Sequence, residues 1–127
     1  MAIVGLGTDL VRTARFQRYI EAEKHALLER LFTPGECAYA MQKAAPAQHF
    51  AARFAAKEAC LKAFGLGLRD GIRWLDIEVV PDMLGRPELR LSGRAGEIAA
   101  GRGVTSTYLS FSHDGDYAVA TVVLEKA

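Results

Sequence analysis

One segment limits what this chain can become more than any other: residues 48–64, a run whose apolar side chains recur on every side of a helix. Ala51, Phe54, Ala56, Cys60, Leu61 and Phe64 leave such a helix no wide polar face, so the rest of the fold must enclose it. Gly65 follows directly, in the position where helices commonly end. Yet Arg53, Lys57, Glu58 and Lys62 lie inside the run. Charges on an enclosed helix need a partner, a ligand or an ion, because leaving one half of a buried pair alone costs about 3–5 kcal/mol.

Read from the helix alone, two accounts stand side by side. In the first, Arg53 and Lys57 carry their charges out to water on apolar stems, and Glu58 pairs with Lys62 one turn on, an arrangement worth ~0.2–0.5 kcal/mol. In the second, Glu58 is a ligand for a hard cation and Lys62 contacts an anion held by that cation, with Asp9 as the second carboxylate.

The remaining sequence supplies the enclosure. Residues 3–9 predict a short buried strand ending at Asp9, in which Gly5 and Gly7 permit close approach of another backbone. Thr13 is placed to cap a helix carrying Phe16, Tyr19 and Ile20, residues 26–32 predict a second helix, and Thr33-Pro34-Gly35-Glu36 has the pattern of a capping box opening a third. Pro46 interrupts the pattern ahead of the long helix. Residues 77–80 and 88–91 alternate as strands around a long hairpin loop, and Ser92 caps a short helix. Residues 108–112 and 117–124 are two further strands, joined through Asp114-Gly115. This order predicts an α+β fold, an antiparallel sheet packed with helices, in one domain spanning 1–127.

Composition narrows the function classes. The formal charge is +1, from 16 basic and 15 acidic residues, which gives no nucleic-acid footprint. No run approaches the ~20 apolar residues of a membrane span, and the first residues lack a basic leader, so the expected location is cytoplasmic. Cys37 and Cys60 are too few for a disulfide framework. Gly5-Leu6-Gly7 is not a dinucleotide fingerprint, because position 10 is leucine. His113, just before the Asp114-Gly115 turn, is by itself an ordinary hairpin residue, and Gly85-Arg86-Pro87 an ordinary loop. Arg12, Arg15 and Arg18 repeat every third residue, either as a solvated helix face or as a docking face for an acidic protein.

Taken in order, these pieces resemble the small, single-domain class of phosphopantetheinyl transferases, the acyl-carrier-protein synthases. The resemblance begins at Gly5-Leu6-Gly7-Thr8-Asp9-Leu10-Val11 and runs through Arg53-Phe54-Ala55-Ala56-Lys57-Glu58-Ala59 and Lys62-Ala63-Phe64-Gly65. It resumes at Asp76-Ile77-Glu78-Val79 and Gly85-Arg86-Pro87, and ends at Ser110-Phe111-Ser112-His113-Asp114. It implies the 4′-phosphopantetheinyl transferase-like fold and transfer of the phosphopantetheine group of coenzyme A to a serine of an acyl carrier protein, in support of fatty acid biosynthesis.

At matching positions the resemblance implies that Asp9 and Glu58 hold Mg2+ and that Lys62 and His113 meet the coenzyme phosphates. Lys57 would support the network near the metal, Arg53 would contact phosphate or carrier protein, and Gly85, Arg86 and Pro87 would lie near the adenosine end. The base would be a metal-activated water or a nearby acidic group. The resemblance also implies a homotrimer with active sites between subunits, and gives Arg12, Arg15 and Arg18 an acidic carrier protein to dock, Arg15 foremost. Three other accounts remain: a coenzyme A or nucleotide-binding module without catalysis, a small metal-dependent phosphohydrolase, and a trimeric scaffold whose helix charges pair at an interface. The first has no need of both carboxylates, and the second does not explain the basic helix.

Overall fold

The computed structural model describes residues 1–127. The chain runs β1 (Ala2–Arg12), α1 (Thr13–Glu21), α2 (His25–Leu31), α3 (Pro34–Met41) and α4 (Pro46–Phe64), then a short 3-10 turn at Trp74–Asp76. It continues through β2 (Ile77–Pro81), β3 (Pro87–Leu91), α5 (Gly93–Gly101), β4 (Ser106–Asp114) and β5 (Tyr117–Lys126). An antiparallel sheet of order β1-β5-β4 packs on α4, and β2 and β3 form a separate hairpin. The α+β expectation holds, including the long enclosed helix: α4 has buried side chains all round, from Phe50 and Phe54 on one side to Ala55, Ala59 and Ala63 on another.

Glycine lets the helix lie against the sheet. A Cβ on Gly7 would stand 1.9 Å from the Ala59 carbonyl oxygen, and one on Gly5 would stand 1.8 Å from that of Ala63. Backbone therefore meets backbone between β1 and α4, and no side chain separates them. The other side of α4 is sealed by an aromatic cluster in which the Phe32 and Phe50 rings lie 4.8 Å apart and Phe16 and Phe54 lie 5.5 Å apart.

Four local expectations are corrected. β1 does not stop at Asp9 but pairs with β5 as far as Arg12, because Val11 turns into the core while Leu10 faces out. Thr13 is the first residue of α1 rather than its cap, and its hydroxyl is buried without a hydrogen-bond partner. Pro46 opens α4 at its first turn, where the missing N–H costs nothing. Asp114 pairs with Tyr117, so the turn is Gly115-Asp116, with Gly115 at φ 56 in the first central position of a two-residue hairpin. The Thr33–Glu36 capping box is present in both directions.

The sheet face turned away from α4 has no cover within the chain. Leu10 lies opposite Val119, and Leu6 and Tyr108 both flank Val123; Leu6, Leu10 and Tyr108 are 64%, 61% and 54% exposed.

Candidate active site

Asp9 leaves β1 on the same side as Gly7 and Val11, toward α4, and Glu58 precedes the Ala59 that Gly7 abuts. The close approach of β1 and α4 thus brings two carboxylates to one place. They line a cavity of about 380 Å3 whose other walls include Phe54, Arg12, Arg15 and Arg18. The Arg15 guanidinium lies 4.8 Å from the Phe54 ring centre, and its Nε donates to the Tyr19 hydroxyl at 3.0 Å, so the first turns of α1 hold it over the cavity.

Glu58 is pushed above the ordinary carboxylate range, first by burial and then by the negative charge of Asp9, against the opposing pull of Lys62 and Arg15. Lys62, which helical spacing offers to Glu58, instead donates to Asp9 Oδ1 at 2.9 Å and to the Thr8 carbonyl at 3.1 Å. No ion pair forms at Glu58. Glu58 is thus half-enclosed and without a direct ion pair, with Lys62 and Arg15 acting on it from beyond contact distance.

The donor set decides which cation fits. Within the chain no group of three or more histidine, cysteine or acidic side chains is placed to hold a metal ion. Two carboxylates in an open cavity suit Mg2+, which binds through one or two carboxylates and keeps room for water and substrate phosphate.

The structure gathers Asp9, Glu58, Lys62, Arg12, Arg15 and Arg18 but sets the other expected residues apart. Arg53 is only 3% exposed, with its guanidinium 4.3 Å from the Tyr39 ring centre and 5.8 Å from that of Phe111. Its Nη1 donates to the His49 carbonyl at 3.4 Å, its Nε has no partner, and burial lowers its affinity for a proton. His49 is lowered by burial and then by the positive fields of Arg53, Lys43 and His113, which groups these residues near Tyr39. His113 lies on β4, with β5 between it and β1. Arg86 and Pro87 line a further cavity of about 300 Å3 together with Thr107 and Tyr108 of β4.

Lys57 departs from its expected place near the carboxylates. It is fully buried, and Nζ donates to Glu36 Oε1 at 2.8 Å, to the Ile77 carbonyl at 2.6 Å and to the Trp74 carbonyl at 3.1 Å. All three donors are used, so none remains for a phosphate. Burial lowers the Lys57 pKa and the Glu36 charge resists that fall. The Glu36–Lys57 pair fastens α4 to α3 and β2; the helix reading missed it because the partner lies far back in sequence. Asp82 was also missed. Its Oδ1 accepts from the Leu84 and Arg86 N–H groups at 2.8 Å each, and Arg86 Nε stands 3.4 Å from Oδ2, which orders the loop carrying Gly85-Arg86-Pro87. The aspartate three residues before Gly85 was its only sequence signal.

Residues 5–122 match the family model of the 4′-phosphopantetheinyl transferase superfamily. The holo-[acyl-carrier-protein] synthase of Geotalea daltonii is 53% identical over 124 residues, covering 98% of this chain and 99% of its own. That of Syntrophotalea carbinolica is 58% identical over 121 residues, covering 95% and 94%. Among solved structures, holo-[acyl-carrier-protein] synthase from Neisseria meningitidis superposes with a TM-score of 0.88 at 35% identity over 98% of this chain and 100% of that one. The Helicobacter pylori synthase in complex with coenzyme A gives 0.82 at 32% identity, over 94% and 99%. No helix is long and apolar enough to cross a membrane.

Proposed function

The chain belongs to the 4′-phosphopantetheinyl transferase superfamily, and on that footing we propose that it moves the phosphopantetheine arm of coenzyme A onto a serine of an apo acyl carrier protein, releasing adenosine 3′,5′-bisphosphate. The observation that carries this reading is the cavity in which Asp9 and Glu58, the latter without an ion pair, stand beside Arg12 of β1 and Arg15 and Arg18 of α1, with Lys62 on Asp9. The serine hydroxyl attacks a phosphorus of the coenzyme diphosphate, and the bond to the departing adenosine 3′,5′-bisphosphate breaks.

Asp9 and Glu58 would hold Mg2+, which when bound neutralises the diphosphate that repels the incoming hydroxyl. Lys62 adds a positive charge on the same side. Arg12, Arg15 and Arg18 orient an acidic carrier protein so that its serine enters over Phe54. Arg53 and His113 serve the coenzyme phosphates, and Gly85, Arg86 and Pro87 the adenosine end. The arginine rim favours a protein acceptor over hydrolysis by water, which needs no such rim.

Within one chain β5 separates His113 from Asp9, and Arg86 lies at the β2–β3 hairpin outside that sheet. That separation, with the exposed Leu6, Leu10 and Tyr108 on the open sheet face, supports a homotrimer in which a neighbouring copy brings its Arg53, His113 and Arg86 to this chain's Asp9 and Glu58. The reading takes residues 1–127 as one transferase domain, working in the cytoplasm in fatty acid biosynthesis. Asp9→Asn and Glu58→Gln test it: each should fold and lose at least ~100-fold in transfer rate. Wild-type rates in either at limiting magnesium would overturn the metal assignment.

A further inference from the structure

Lys62 holds the wrong carboxylate for a helix pair. A lysine one turn after Glu58 is placed for that acid, yet its ammonium reaches across to β1 and takes Asp9 Oδ1 and the Thr8 carbonyl, leaving Glu58 without an ion pair. The arrangement is half open: the Lys62 side chain is 53% exposed and that of Asp9 17%. The lysine therefore occupies one of the two carboxylates proposed to hold the metal, while its stem borders solvent.

Resting on the metal reading above, we propose that Lys62 is a partner-exchanging cation that couples metal binding to diphosphate binding. In the free protein it neutralises Asp9 and opposes entry of a divalent cation, both by filling an oxygen of the carboxylate and by like-charge repulsion. A diphosphate arriving at the cavity offers Lys62 a stronger anionic partner within reach of the same stem. Asp9 is then released to join Glu58, and the cation binds when substrate is present. Because the two events share one lysine, each raises the affinity of the other by the same factor.

The test is direct binding of Mn2+ to the full-length protein, followed by electron paramagnetic resonance, in wild type and in Lys62→Met and Lys62→Gln, with and without coenzyme A. Without coenzyme A the variants should bind Mn2+ about three- to tenfold more tightly than wild type, the scale of one displaced half-exposed ion pair plus the lost repulsion. Coenzyme A should then raise Mn2+ affinity by a smaller factor in the variants than in wild type. Equal or weaker Mn2+ binding by both variants would mean that the Lys62 contact with Asp9 does not oppose the cation, and would overturn the proposal while leaving the metal reading intact. A wild-type protein that binds no Mn2+ with or without coenzyme A would overturn both.

Discussion

Replacing Gly7 with alanine tests whether the spacing of Asp9 and Glu58 is set by backbone contact between β1 and α4. The added Cβ would sit 1.9 Å from the Ala59 carbonyl oxygen and 2.7 Å from the Ala63 nitrogen, where contacts under 3.0 Å essentially do not occur. Neither neighbour is a flexible side chain, so strand and helix must part by about 1 Å. Overpacking of this kind costs ~1–3 kcal/mol, which for a domain of this size lowers Tm by roughly 4–12 °C. The displaced pair lies next to the substitution in both directions, Asp9 two residues along β1 and Glu58 one residue before Ala59. A misplacement of ~1 Å in a catalytic pair is worth on the order of 100-fold in rate. Thermal unfolding and transfer rate should be measured beside Gly101→Ala, whose Cβ meets nothing within 4 Å and which should change neither by much. Gly7→Ala with wild-type Tm and turnover would refute the contact argument.

Lys57→Met strands Glu36 in the core and should destabilise the protein by about 3–5 kcal/mol, read from denaturant midpoints; a loss under ~1 kcal/mol would show that Glu36 finds other partners. Asp82 is held below the ordinary carboxylate range, chiefly by the Arg86 N–H and then by that of Leu84. Its contribution to loop order is therefore present above the unfolded value of 3.8 and is lost only as pH falls through the lower folded value. Amide exchange at Leu84 and Arg86 should stay slow down to that acid limit, and Asp82→Ala should raise KM for coenzyme A several-fold with kcat nearly kept. Charge reversal at Arg15 and Arg18 should weaken carrier-protein binding by ~10-fold at low salt and much less at high salt, with coenzyme A binding spared; an unmoved carrier affinity would remove the docking face.

The enclosed helix was legible because its apolar residues leave no polar face, and the same property made its four charges conspicuous. Asp9 was offered as the second carboxylate from its place near glycines at a strand end, and the structure sets it beside Glu58 in one cavity; the strand reading nevertheless ended β1 too early, since an aspartate and an arginine hid the alternation of exposed Leu10 with buried Val11. Lys57 shows the opposite limit. Its neighbour Glu58 made it look like part of the site, but adjacent helical residues face different ways, and Lys57 faces Glu36. The group of Lys43, His49, Arg53 and His113 comes from three separate stretches of chain, so no local pattern could assemble it.

The central claim is that this chain transfers phosphopantetheine, and the intact mass of a purified apo acyl carrier protein tests it most directly. Incubation with this protein, coenzyme A and Mg2+ should add the mass of one phosphopantetheine group, and a parallel incubation with chelator should add none. No gain on several carrier proteins, from a sample that still binds coenzyme A, would contradict transfer and leave a binding module in its place.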